Sequence, residues 1–529
     1  MIAAAAAAVG CSDDPRASND AGAGAGGTSL GGQGGTAPGG SGGGDTGGSV
    51  GGASVGGAGG NGGSATGGAG GDAVGAGGAA GNGGSSGGSG GSSQGGTGGG
   101  GAGGSAGGAA GNGGGGGSLG GSGGAAGAGG AAGAGGMAGT GGSGGATGGG
   151  AGTLAPPLAA GAAVLNSDYV STSISILNTQ AGLVHGDCVH TTTTGTGSKT
   201  ISGDVALPSQ PQRGGLLVLI DRGNTALTFV NPSTCAFDRQ LSVKGGFEIA
   251  NPHDVVIVGD RKAYVTRYAK NAAPANPMAA GDDVLIIDPV DGTLKGRIDL
   301  SAYGSAAYPA SPDRAIIAAG KVVVTLNRFN ASDYTNGVGS IVVIDPATDQ
   351  VVQNLSLAPL INCEGLDTLA ASSTVLVACG GSFGSVTQAL ESGVAVVDMS
   401  TTPAKIARII ASSAFATPPV TPFWVLALPS ASSPTRAFTS TLGSFSPSAP
   451  DRLYQLDFVT GTTASFATST PYDLGMPAGG NGRLLVPDAN EAMPRVHVYD
   501  VRGAGMPAEE LSFVADTVNG LPPRQIAWY

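Results

Sequence analysis

Three short clusters of ionisable residues are the first candidates for chemistry. His185, Asp187 and His190 fall close together along the chain, near enough to share a metal ion. On a strand, however, alternation puts 185 and 187 on one face and 190 on the other, which spoils a common site. Pro252-His253-Asp254 and Pro312-Asp313-Arg314 each stand just before an apolar run, and Pro523-Arg524 repeats the arrangement near Tyr529. Arg267, Asn327 and Ser382 lie just past other apolar runs. Two roles fit these residues: turn residues pairing Asp to Arg between blades, which is the favoured reading, or a small-molecule or peptide site. No nucleophile elbow, no H-E-x-x-H and no carboxylate pair at a telling spacing is found. No catalytic residue, cofactor or metal is therefore assigned. Zinc would want a C-x-x-C spacing, which is lacking, and the chain has only 4 histidines.

The elements that must position these residues are repeated. A short β-rich run ending in Asp or Asn recurs at Asn178, Asn231, Asp288, Asp345, Asp398, Asp457 and Asp500. An Asp or Asn there can bond its own backbone and start a tight turn between strands. A second run precedes most copies, as in Lys262–Tyr268 (KAYVTRY) and Lys321–Asn327 (KVVVTLN). A third comes earlier still, as in Asp254–Gly259 or Arg314–Gly320, and a fourth follows the turn, as in Leu294–Leu300. Four short strands every 43 to 59 residues or so is the pattern of a propeller blade. The first unit, from Ala162 to His190, supplies three strands without an innermost one, and Pro523–Tyr529 is an innermost strand with nothing after it. Joined, they complete a blade and remove the sheet edges. The expected fold is all-β: a seven-bladed β-propeller closed by N- and C-terminal strands sharing one blade. The weak periodicity of residues 180–215 leaves six or eight blades as rivals. In this ring His253, Asp254, Arg267, Asp313, Arg314, Asn327 and Arg524 are expected around one mouth of the central channel.

KAYVTRY, KVVVTLN, VLIIDPVDGTLKGRIDL and IVVIDPATDQVVQNLSL resemble the YVTN-type repeats of seven-bladed surface and secreted propellers, which are similar to lactonase-like propellers. The resemblance spans the ring and implies a fold; it does not imply a reaction.

Ahead of the ring the text changes. About 70 of the 106 glycines fall in the first 153 residues, in GGxGG, GAGG and GGSGG strings with few aromatic or branched residues. Such a stretch buries too little apolar surface to offset its ordering entropy. Residues 11–153 are thus expected to be a disordered linker with an r.m.s. span of about 65 Å, and residues 154–529 the propeller domain. Its GxGxxG strings have no strand before or helix after them and carry no nucleotide site. Residues 1–10 (MIAAAAAAVG) followed by Cys11 resemble the end of a bacterial lipoprotein signal, with Ala8-Val9-Gly10-Cys11 as the lipobox. The run is short and has no Lys or Arg before it. Lipobox, glycine-rich tether and propeller together resemble lipoproteins of myxobacteria. That resemblance implies lipidation of Cys11, export, and anchoring to the bacterial cell envelope at the outer membrane or cell surface, each buried methylene adding about 0.8 kcal/mol.

With Cys11 set aside, four cysteines remain. Cys363 and Cys379 flank the two arms of a hairpin at equal distance from its centre, a spacing a disulfide accepts. Cys188 and Cys235 are then expected to pair between neighbouring blades near the closure. Four buried thiols are the alternative. The net charge of −12 excludes a nucleic-acid binder, which needs a basic face. The function expected is a lipid-anchored binding or scaffolding module for a protein, peptide or surface polysaccharide. The alternatives are a propeller enzyme at the channel mouth (a lactonase-like hydrolase or a quinone- or metal-dependent oxidoreductase) and a passive coat component.

Overall fold

A computed structural model describes residues 160–529 except 196–197, 370–372, 383–390, 417–420 and 446–447. Cys11, the lipobox and the glycine-rich stretch lie outside the described residues. Seven four-stranded antiparallel sheets are arranged as blades. Blade 1 holds Ala162–Ser167, Thr172–Leu177 and Leu183–His190 together with Pro523–Trp528 as its innermost strand. Blades 2 to 7 follow in sequence, their innermost strands being Val205–Ala206, Pro252–Gly259, Pro312–Ala318, Cys363–Thr368, Thr421–Ala427 and Ala478–Gly480. Seven blades settle the count. Closure is also as expected: Ala162 pairs with Trp528 and Val164 with Ile526, and Tyr529 N donates to Gly161 O at 3.0 Å.

The continuous apolar runs exist because the middle strands of a blade are covered on both faces. Every residue of Gly281–Ile287 is buried, whereas the outer strand Ala508–Phe513 is almost wholly exposed. The core is divided among the seven blade-to-blade interfaces. One cluster joins Val256 and Ile286 of blade 3 to Ile317 and Val324 of blade 4, and another joins Ala162 and Val164 of blade 1 to Leu485 and Val498 of blade 7. Each fully buried Val, Leu or Ile adds about 1.5–3 kcal/mol relative to exposure.

Blade 2 departs from the pattern, and it explains the poor periodicity of 180–215. Its innermost strand stops after two residues, and Leu207–Gln212 (LPSQPQ) runs on into the channel, where Pro208 and Pro211 have no N–H for a ladder. Glutamine side chains replace it. Gln210 Oε1 accepts from Ile317 N at 2.8 Å, Gln212 Oε1 accepts from Ile257 N at 3.0 Å, and Gln525 brackets the backbone of Leu207 with two bonds of 2.9 Å. These side chains satisfy the inner sheet edges and fill part of the channel.

Both expected disulfides form. Cys363 and Cys379 are direct cross-strand partners within blade 5. Cys188, on the outer strand of blade 1, is bonded to Cys235, beside the outer strand of blade 2. Two bridges suit an exported protein. Among the described residues no helix is long and apolar enough to cross a membrane.

Candidate functional site

The upper face of the ring is the end at which the innermost strands begin. There, residues of blades 6, 7, 1 and 2 enclose a cleft at the channel mouth. Its floor is Phe423, Trp424 and Met476, a small apolar cluster apart from the blade interfaces; the Phe423 and Trp424 rings meet edge-on at 5.4 Å. Tyr169, Tyr472, Arg222, Arg524, Asp204 and Asp473 form the rim.

Local chain chemistry fixes each rim group. Tyr169 sits at φ 69° in the left-handed region, a strained choice for a bulky residue. Ser167 Oγ accepts from its N–H at 2.9 Å, and Asp168 accepts from Val170 N and Ser171 N at 3.0 and 2.6 Å. The turn therefore holds the ring of Tyr169 out, 37% exposed. Arg524 lies against it, guanidinium carbon 5.1 Å from the ring centroid, and its Nε donates to Ser167 O at 3.2 Å. On the other side Asp451 accepts from Gly443 N, Tyr472 N and Leu474 N at 2.6, 2.9 and 3.0 Å. Burial pushes this carboxyl up to about 6 in spite of those bonds. The same segment then grazes the closing strand at Gly475, where a Cβ would come 1.9 Å from Arg524 O; only glycine allows that approach. Arg222 pairs with Asp204. The rim thus offers two aromatic faces and charges of both signs over an apolar floor.

Of the seven residues expected around the mouth, Arg524 lines this cleft and Arg314 lines a second, lower one. The other five line neither cleft. They are buried between and within blades 3, 4 and 5. His253 Nδ1 lies 2.9 Å from Asp313 Oδ1, and its ring stacks on Tyr268 at 4.2 Å. Burial raises the Asp313 carboxyl, but His253, Arg314 and Arg222 outweigh it and hold the group below the usual range. Asp254 accepts from Ala315 N at 2.9 Å and Ser209 N at 3.2 Å, stapling blade 3 to blade 4 and to the channel segment; burial pushes it above the usual range. Arg267 grips Asp283 with two bonds of 2.8 and 2.7 Å and donates to Lys244 O and Met278 O. Asn327 donates to Glu364 at 3.3 Å and accepts from Asn336. His253, Asp254 and Asp313, Arg314 stand within the innermost strands rather than just before them.

Strand alternation misplaced one pair. His190 Nδ1 lies 2.8 Å from Asp187, because the register between Thr172–Leu177 and Leu183–His190 shifts twice and resets which face each side chain takes. Among the described residues no three His, Cys, Asp or Glu side chains gather as a metal-binding group. The sequence reading missed Tyr169, Arg222, Trp424, Tyr472 and Met476. One signal was available: the chain has only 2 tryptophans, and both line the channel clefts.

No family model matches the sequence, and no curated protein matches it. Solved structures do resemble the ring. A 6-phosphogluconolactonase-like protein of Bacteroides fragilis is 10% identical, with 70% of this chain and 98% of that one covered and a TM-score of 0.43. A selenium-binding-type protein of Sulfolobus tokodaii is 12% identical over 71% and 96% of the two chains, TM-score 0.43. Apo AztD of Citrobacter koseri is 11% identical over 70% and 98%, TM-score 0.37.

Proposed function

We propose that the chain is an envelope-tethered binding module, carried on a lipid attached to Cys11 and on the glycine-rich stretch, with the upper cleft as its recognition site for a protein, peptide or surface polymer. The upper cleft carries the reading. Its aromatic rim and apolar floor supply contact area at low entropic cost, and its fixed charges supply orientation.

Two measurements test the reading. Cys11→Ala should shift the protein from the membrane fraction to the soluble fraction, and unchanged retention refutes the anchor. The purified ring should be retained on isolated cell-envelope material, and Tyr169→Ala combined with Arg524→Ala should lower that retention at least tenfold with the fold intact. Equal retention refutes the site.

A further inference from the structure

The rim of the upper cleft holds one group that the fold orients and does not use. Arg524 is the second residue of the closing strand Pro523–Trp528. Its guanidinium is fixed on one edge by the bond from Nε to Ser167 O and on one face by the Tyr169 ring. Among the described residues neither of its terminal nitrogens has a hydrogen-bond acceptor or an ion-pair partner. The side chain is half-buried and lines the cleft. A planar guanidinium held in this way presents two parallel N–H donors, the arrangement a carboxylate matches with two bonds.

The other charges near the mouth are engaged or complementary. Arg222 is paired with Asp204. Arg314 lies beneath the floor, its guanidinium carbon 5.1 Å from the Trp424 ring, Nη2 donating to Met476 Sδ at 3.4 Å and Asp313 at 3.6 Å. Asp473 accepts from the Thr470 hydroxyl. Burial raises the Asp473 carboxyl, and Arg524 acts on it without forming an ion pair. A space bounded by a donor pair on Arg524 and an acceptor on Asp473 therefore stands over an apolar floor, to which Leu442 and Leu474 add their side chains. A sugar acid would bring its carboxylate with hydroxyls that such a floor leaves unbonded. The last residue of a polypeptide brings a carboxylate, an N–H and a side chain on one carbon.

We propose that the upper cleft captures the free C-terminal carboxylate of a polypeptide whose last residue is apolar, with Arg524 holding the carboxylate, Asp473 accepting the last amide N–H, and Phe423, Trp424 and Met476 receiving the side chain. This assignment rests on the upper cleft being the recognition site and names the ligand class it takes.

Calorimetric titration of the full-length protein with N-acetylated tetrapeptides ending in phenylalanine tests it. The free acid should bind at least about tenfold more tightly than its C-terminal amide, and by a similar factor more tightly than the acid ending in serine. Arg524→Gln should bring acid and amide within about twofold. Hydrocinnamate, with the ring and the carboxylate but no peptide chain, should bind at least about tenfold more weakly than the tetrapeptide acid. Equal affinities of acid and amide for the native protein overturn the proposal, as do equal affinities of the phenylalanine and serine acids or absence of binding by the free acid. Hydrocinnamate binding as tightly as the tetrapeptide overturns a polypeptide as the source. None of these comparisons needs a variant to fold. Retention on envelope material is read separately. If Tyr169 and Arg524 govern retention while acid and amide bind alike, the carboxylate is refuted and the recognition site stands. If the acid outbinds the amide while retention ignores both residues, carboxylate capture stands and the envelope reading fails.

Discussion

The two halves of the upper mouth are built from the same strands and end in opposite states. In blades 3 and 4 the innermost strands begin with charged residues, and the structure consumes them. His253 and Asp313 face each other, Asp254 staples neighbouring strands, and Arg267 is locked on Asp283 with neither group exposed. In blades 6, 7, 1 and 2 the floor at this level is Phe423, Trp424 and Met476, with Arg222, Arg524, Asp204 and Asp473 only at the rim, and there a cleft stays open. Charged groups at such a position must be paired when buried, and pairing fills space. Rings and thioethers need no partner, so they can line an opening. A charged residue near a channel therefore points as readily to a sealed joint as to a ligand.

The largest expected effect lies on the sealed side. Arg267→Ala leaves Asp283 buried beside Arg297 alone and should lower stability by about 3–5 kcal/mol, measured by denaturant unfolding. A loss below about 1 kcal/mol would erase the distinction between the halves.

An intermediate effect belongs to the open side and depends on pH. The Asp451 carboxyl is raised from 3.8 to about 6 in the folded ring. Between those values the folded state binds more protons than the unfolded one, so this group's contribution is full below about pH 4 and is lost as the pH rises through 6. Asp451→Asn should remove about 2–3 kcal/mol of that decline, seen by comparing unfolding free energies at pH 4 and pH 7. An unchanged slope would show that Asp451 does not set it.

The smallest effect sharpens the contrast. Tyr169→Ala removes a rim group that is partly exposed and stacks on one arginine, and it relieves a strained backbone only in part. Stability should change by about 1 kcal/mol or less, while retention on envelope material falls. A large loss of stability would make Tyr169 a structural joint like Arg267.

The blades were legible because their physics is local and repeated. A strand buried on both faces must be apolar throughout, and VLIID or IVVID shows that without any knowledge of neighbours. The turn aspartates and the symmetric placing of Cys363 and Cys379 about a hairpin are equally local. The site was not legible, because no segment contains it. Tyr169, Arg222, Trp424 and Tyr472 come from four blades, and each looks ordinary beside its neighbours in the chain. Leu207–Gln212 was opaque for a different reason. Its prolines hide a strand position, and its glutamines act through backbone atoms, those of Ile257 and Ile317 and the carbonyl of Gln210.

Sequence alone determined the repeated four-stranded unit and pointed to the closure of the ring and the pairing of four cysteines, since these follow from periodicity and from short-range geometry; the structure settled the count at seven. Tertiary structure alone decided which polar residues are spent on holding blades together and which surfaces stay open. Partners for a buried charge are supplied by strands distant in sequence, and an opening is defined by what its surroundings fail to fill.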